Sequence, residues 1–162
     1  MEQIEKIQTA PITDAYRSYQ GGYFKTLLSP AQTGGALALI DMVLPQGAEP
    51  PMHIHTREDE TFYIIEGSMG FTIGNDSYTF GEGAAVFAPR MVPHSFKILS
   101  PEARFITMIT PGDFWNYFME FSEPCDHTPI VTPPQGPPPA ELISRLIDRM
   151  ENKYAISFVQ QR

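Results

Sequence analysis

The run GAEPPMHIHTREDETFYIIEG, from Gly47 to Gly67, restricts what this chain can become more than any other stretch. His53 and His55 are separated by one residue, and in an extended strand such positions share a face, roughly 6.5 to 7 Å apart along the strand. Two imidazoles so placed converge on one ion. The polar residues Thr56 to Asp59 read as a turn, and Thr61 to Ile65 read as a β-branched and aromatic strand opened by Glu60. A returning strand carries that carboxylate back beside the histidines as a third ligand, with Asp59 or Glu58 in its place if the turn is shifted by a residue. The fourth candidate is His94. It alternates in phase with Phe96 and Ile98 against Ser95 and Lys97, the pattern of a half-buried strand, and so points into an interior.

The spacing resembles the two cupin motifs. Gly47, five residues, His53, one, His55, four, Glu60, six, Gly67 fits the first motif at every fixed position, and Gly83, five residues, Pro89, then His94 fits the second. Met91 stands where the second motif usually has glycine, and Ile98 where it often has asparagine. A glycine there suggests a positive φ, which a methionine adopts at a cost of roughly 1 to 2 kcal/mol. The wider wording, PPMHIHTREDETFYIIEG with VFAPRMVPHSF and ITPGDFWNYF, is similar to single-domain cupins described as quercetin 2,3-dioxygenase-like. The resemblance implies an all-β, cupin-type antiparallel barrel or jelly roll. It also implies a metal held by His53, His55, Glu60 and His94, and a dioxygenase reaction in which Glu60 takes or holds a substrate proton.

Independent of that likeness, the chain in order shows short strands separated by turns. Tyr23 to Leu28, Ala36 to Leu44, Met69 to Ile73 with Ser77 to Phe80 as a hairpin, Ala84 to Ala88 and Phe105 to Thr110 all read as strands. No helix is expected before Pro111, which favours an antiparallel barrel or jelly roll over alternating β and α units. The histidine pattern occurs once, so one barrel is expected. The organisation predicted is an N-terminal arm over residues 1–20, a barrel core over 21–111 and a C-terminal extension over 112–162. In the extension, Asp113 reads as the N-cap of a short aromatic helix whose Phe114, Phe118 and Phe121 pack on the outside of the barrel, with a helix lining the pocket mouth as the alternative. Thr128 to Pro139 reads as an extended proline-rich strap. Pro139 then suits the first turn of a second helix with Leu142, Leu146, Ile147 and Met150 on one face, and Ala155 to Val159 as an edge strand.

Three imidazoles and a carboxylate without thiolate suit one divalent transition ion per chain, drawn from Fe, Mn, Ni, Cu, Co and Zn. The inward or near-site positions expected to form a substrate pocket are Phe62, Ile64, Phe71, Ile73, Phe87, Phe96, Ile98 and Met108; the bland reading is that they fill a small barrel. An apolar lining favours an aromatic or enolisable small molecule as the partner. The function expected is thus a metal-dependent dioxygenase, with an isomerase, lyase or decarboxylase, or a non-catalytic small-molecule binding protein, as alternatives. A formal charge of -8 argues against nucleic acid. No stretch approaches a membrane span, and the opening MEQIEKIQ lacks a signal peptide's basic start and apolar run. With its single cysteine, Cys125, the protein is expected in the cytoplasm, and as a homodimer.

Overall fold

Side-chain alternation along the strand Glu102–Thr110 shows how the chain divides inside from outside: Ala103, Phe105, Thr107 and Ile109 are buried, and the residues between them are not. The same period of two runs through the computed structural model, which describes residues 16–159. The strands are β1 Tyr16–Tyr19, β2 Gly22–Leu28, β3 Ala38–Pro45, β4 His53–His55, β5 Asp59–Glu66, β6 Met69–Ile73, β7 Asp76–Phe80, β8 Ala85–Ala88, β9 His94–Ile98, β10 Glu102–Thr110, β11 Glu123–Cys125 and β12 Ile156–Phe158. Two helices, α1 Trp115–Glu120 and α2 Ala140–Asn152, follow β10.

The strands form two antiparallel sheets, in the orders β11-β1-β2-β3-β10-β5-β8 and β12-β4-β9-β6-β7. This is the expected jelly roll, with the two sheets facing each other and, among the described residues, no ladder joining them. Phe62 and Phe105 from the first sheet meet Phe71 and Phe96 from the second, with ring centroids 5.3 to 5.8 Å apart. Each such ring removed from water contributes about 1.5 to 3 kcal/mol, and these contacts hold the sheets together. On β3 the expected apolar face, Ala38, Ile40, Met42 and Leu44, is buried throughout.

The structure corrects the reading of the first helix. Gly112 packs so tightly that a Cβ there would lie 2.7 Å from the Leu37 carbonyl carbon, which lets the chain turn sharply at the end of β10. A 3-10 turn over Gly112–Phe114 results, and Asp113 lies within it instead of capping α1; its carboxylate accepts from Asn116 Nδ2 at 3.2 Å. The turn drives Phe114, Tyr117 and Phe118 across the open end of the barrel, where they line its cavity instead of packing on its outside.

The segments on either side of the barrel add strands to it. β1 pairs with β2 and β11, and the guanidinium of Arg17 donates to Ser122 Oγ at 2.6 Å and to its carbonyl at 2.8 Å. Residues 1–15 of the expected arm lie outside the described residues. β12 is an edge strand, as expected, and its partner is β4. Among the described residues, no helix is long and apolar enough to cross a membrane. Cys125 is half-buried and unbridged, and His127 is exposed.

Candidate metal centre

Cross-strand registry decides which histidines meet. His53 lies directly opposite His94 in the β4–β9 ladder, and His55 shares the inward face of β4. The three rings sit 4.6 to 5.3 Å apart between centroids. Glu60, on β5 of the other sheet, brings its Oε2 to 3.1 Å from His94 Nε2 and 3.3 Å from His55 Nε2. Ligand atoms from all four residues lie within 4.8 Å of one another, and all four residues are buried.

The hydrogen bonds behind the rings orient them. Nδ1 of His53 faces the Pro51 carbonyl at 2.8 Å, Nδ1 of His94 the Val92 carbonyl at 3.0 Å, and Nδ1 of His55 the Glu58 carboxylate at 3.4 Å. With Nδ1 donating outward, each imidazole presents Nε2 to the centre, the arrangement that makes a metal ligand. Although 3.3 Å from Glu60, His55 Nε2 is buried without a well-directed hydrogen bond. An orphaned buried nitrogen is costly unless something binds it, and a divalent transition ion fits this donor set.

The three adjacent acidic residues take three distinct roles. Glu60 faces the histidines, Asp59 turns outward to receive Arg90 through Nε at 3.1 Å and Nη2 at 2.9 Å, and Glu58, 2% exposed, backs His55. Met91 takes the positive φ of 65° that its position requires, with its side chain 64% exposed, and its N–H donates to the His55 carbonyl at 2.8 Å. The turn that aims His94 is therefore retained despite the missing glycine.

Electrostatics bind the set together. Burial alone would raise the Glu60 carboxyl, but the His55 and His94 imidazoles outweigh it and hold Glu60 well below the usual range. Burial, reinforced by the other two imidazoles and opposed by Glu60, pushes His53 down to about 4. For His55 burial acts downward too, yet the Glu60 and Glu58 carboxylates lift it to about 9.

The sequence profile of the cupin domain matches residues 40–110, a span that contains all four of these residues. Residues 40–110 form a cupin domain. Among curated relatives, an uncharacterized protein of Methanocaldococcus jannaschii is 26% identical over 83 residues, 51% of this chain and 66% of that one. Quercetin 2,3-dioxygenase of Bacillus subtilis is 24% identical over 104 residues, 64% of this chain and 31% of the enzyme. The chain thus spans less than two thirds of either relative's length. Among solved structures, a protein from Thermotoga maritima described as a predicted oxalate decarboxylase superimposes with a TM-score of 0.53 at 23% identity, covering 63% of this chain and 96% of that one. Its likeness is one of fold.

A cavity of about 960 Å³ reaches this cluster from the side of His53 and Glu60; His55 and His94 lie behind them. Of the predicted pocket residues, Phe62 and Phe96 line it. Ile64, Phe71 and Ile98 are buried in the core instead, and Ile73 packs partly buried against it. Two corrections concern direction. Phe87 is 57% exposed because Val86 and Ala88 are the inward residues of β8, and Met108 sits half-buried on the outer side of β10, opposite Phe105 and Thr107. The lining beyond the expected pocket residues comes from Phe105, from Phe114, Tyr117 and Phe118 at the aromatic helix, whose place at the pocket mouth was the alternative reading, and from the roof formed by α2. The apolar stripe of α2 was the available signal for that roof.

Proposed function

We propose that this cupin is a metal-dependent dioxygenase of quercetinase-like type, acting on an aromatic or enolisable small molecule. The observation that carries the proposal is the character of the cavity. Aromatic and aliphatic side chains line it, among the described residues no lysine or arginine does, and the carboxylates among them are Glu60 and Glu49. Glu49 already accepts the Ile98 N–H at 2.8 Å. Sugar phosphates and small dicarboxylates would call for converging cations, whereas a neutral planar ring is stabilised by apolar walls. The sequence similarity to quercetin 2,3-dioxygenase supports the same choice.

A divalent transition ion held by His53, His55, Glu60 and His94 would supply Lewis acidity and a position for a substrate oxygen. The protein's own part is clearer in detail. Glu60, kept ionised by the imidazoles beside it, is the base for an enol or phenol proton brought within about 3.2 Å. Phe62, Phe96 and Phe114 exclude water and hold a ring in plane, and Thr107 offers a hydroxyl to a substrate polar group. We also read the protein as a cytoplasmic homodimer with neither nucleic acid nor membrane as a partner; sedimentation of the purified chain checks the dimer.

The test is oxygen uptake by chelator-free protein loaded in turn with Fe, Mn, Ni, Co, Cu or Zn, against flavonols and other enolisable aromatics. Consumption of dioxygen matched to ring-opened product is expected with at least one metal, and Glu60→Gln should retain the fold yet lose that uptake. Equal turnover without oxygen would move the protein to an isomerase, lyase or decarboxylase. Stoichiometric binding without product would make it a small-molecule binding protein.

A further inference from the structure

We propose that α2 is a specificity lid in which Ile143, Leu146 and Ile147 form the wall that reads the apolar end of the substrate, while its oxygen-bearing end faces His53 and Glu60. This rests on the substrate class proposed above and extends it to the far end of the molecule.

Two observations carry the lid. The first is what the helix covers. Ile143, Leu146, Ile147 and Met150 recur at helical spacing and make one apolar stripe, which in a surface helix ordinarily presses into a core. Here only Met150 is buried, and Ile143 and Ile147 keep 36% and 38% of their surface exposed. All four residues border the cavity of about 960 Å³, so the stripe faces space that a ligand can fill. None of the three wall residues carries a hydrogen-bonding side chain. The group they accept is therefore an uncharged ring or chain.

The second observation is how unevenly the helix is fastened. At its C-terminal end Arg149 Nε reaches Glu120 Oε1 at 2.7 Å, and Lys153 Nζ and the Tyr154 hydroxyl each reach Glu120 Oε2 at 3.1 Å. The Tyr154 ring is 1% exposed and lies edge-on to Phe114 and Tyr117. Beyond it Ile156 pairs with His55 and Phe158 with His53, so the lid's root is hydrogen-bonded to the ligand strand itself. Toward the N-terminal end the hold is weaker: among the described residues the Arg145 guanidinium lies 5.1 Å over the Phe121 ring, and no ion pair fastens the first turn. The helix begins at Pro139 without a side-chain cap and continues backward into the strap, where Pro134, Pro137 and Pro138 also border the cavity. A helix fixed at one end and tethered at the other by a proline strap admits ligand at the strap end while its root stays in place.

The experiment uses two probes with the same chelating head. 3-Hydroxyflavone carries a phenyl ring that 3-hydroxychromone lacks, and zinc-loaded protein binds without redox turnover, so fluorescence titration reads affinity alone. Leu146→Trp is expected to weaken 3-hydroxyflavone by tenfold or more and 3-hydroxychromone by less than threefold. Ile143→Trp, at a more exposed position, should act in the same direction and guards against a Leu146 variant that fails to fold. Equal losses for the two probes, or no loss for either, would overturn the lid. If neither probe binds the unaltered protein, the proposed substrate class fails, and Nile red binding to the metal-free protein then tests the wall by itself. A several-fold loss of Nile red affinity in either tryptophan variant supports the wall; unchanged affinity removes it.

Discussion

Beneath the floor of the cavity His55 and His94 are 0% and 3% exposed and each ring is tethered through Nδ1, whereas over the roof Ile143 and Ile147 keep more than a third of their surface in solvent. The floor comes from strands in two facing sheets; the roof comes from one helix fastened mainly at its C-terminal end. Directional bonding to an ion needs groups held in place before the ion arrives, which buried strands and oriented imidazoles provide. Reading an apolar shape needs only contact area and a way in. Rigidity and access are thereby assigned to different elements of one cavity.

The largest expected effect breaks the floor alone. His94→Ala should reduce bound metal, measured by elemental analysis, to below about a tenth of the unaltered protein's, and lower the melting temperature by roughly 5 to 10 °C if the ion was present at about a hundred times its dissociation constant. Ile147→Ser in the roof should leave metal content unchanged. Equal metal loss in both variants would mean that floor and roof are a single unit. A smaller effect lies one bond behind the ligands: Glu58→Gln removes the charge that faces His55 Nδ1 and should weaken metal retention about 10- to 100-fold in chelator competition.

The next two changes sharpen the contrast through stability. Met91→Gly relieves a positive φ at a side chain 64% exposed, and should raise the melting temperature by roughly 1 to 3 °C once glycine's greater freedom in the unfolded chain is subtracted. Glu120→Gln at the root of the roof has the smallest effect, roughly 1 to 2 °C at pH 7. Burial would raise the Glu120 carboxyl, but Lys153, Tyr154 and Arg149 outweigh it and hold it below its ordinary value. Its contribution is therefore complete above the unfolded carboxyl's pKa of about 4.3 and fades as pH falls through the lower folded value. Melting curves of the variant and the unaltered protein should converge in that acid range, and a gap that persists there would show that the carboxylate's charge is not what fastens the helix.

Where sequence reasoning failed, it failed for physical reasons that can be named. Phe87 reads as inward because the run AAVFA has apolar residues at both parities, so nothing polar marks its outer face. Met108 misled in the converse way, since the inward face of β10 includes Thr107 and its outer face includes Ile106. Asp113 looked like a cap, but the close approach of Gly112 to Leu37 starts a 3-10 turn first and sends the aromatic residues inward. Glu58 and Glu60 could not be told apart by type, and only the register of the turn separates the residue backing His55 from the one facing it.

What the chain's wording determined unaided was local: most of the strands, the shared face of His53 and His55, the glycine punctuation and an apolar face on α2, although Ile143 and not the expected Leu142 borders the cavity. Those follow from the repeat of the backbone and hold wherever the segment lies. Which stripe meets which surface depends instead on contacts between distant residues, such as Thr56 with Ala155, 99 positions along. The pairing of β12 with the ligand strand, and with it the placing of an aliphatic roof over a metal-binding floor, was decided by tertiary structure, because an apolar face specifies that it must be covered and not by what.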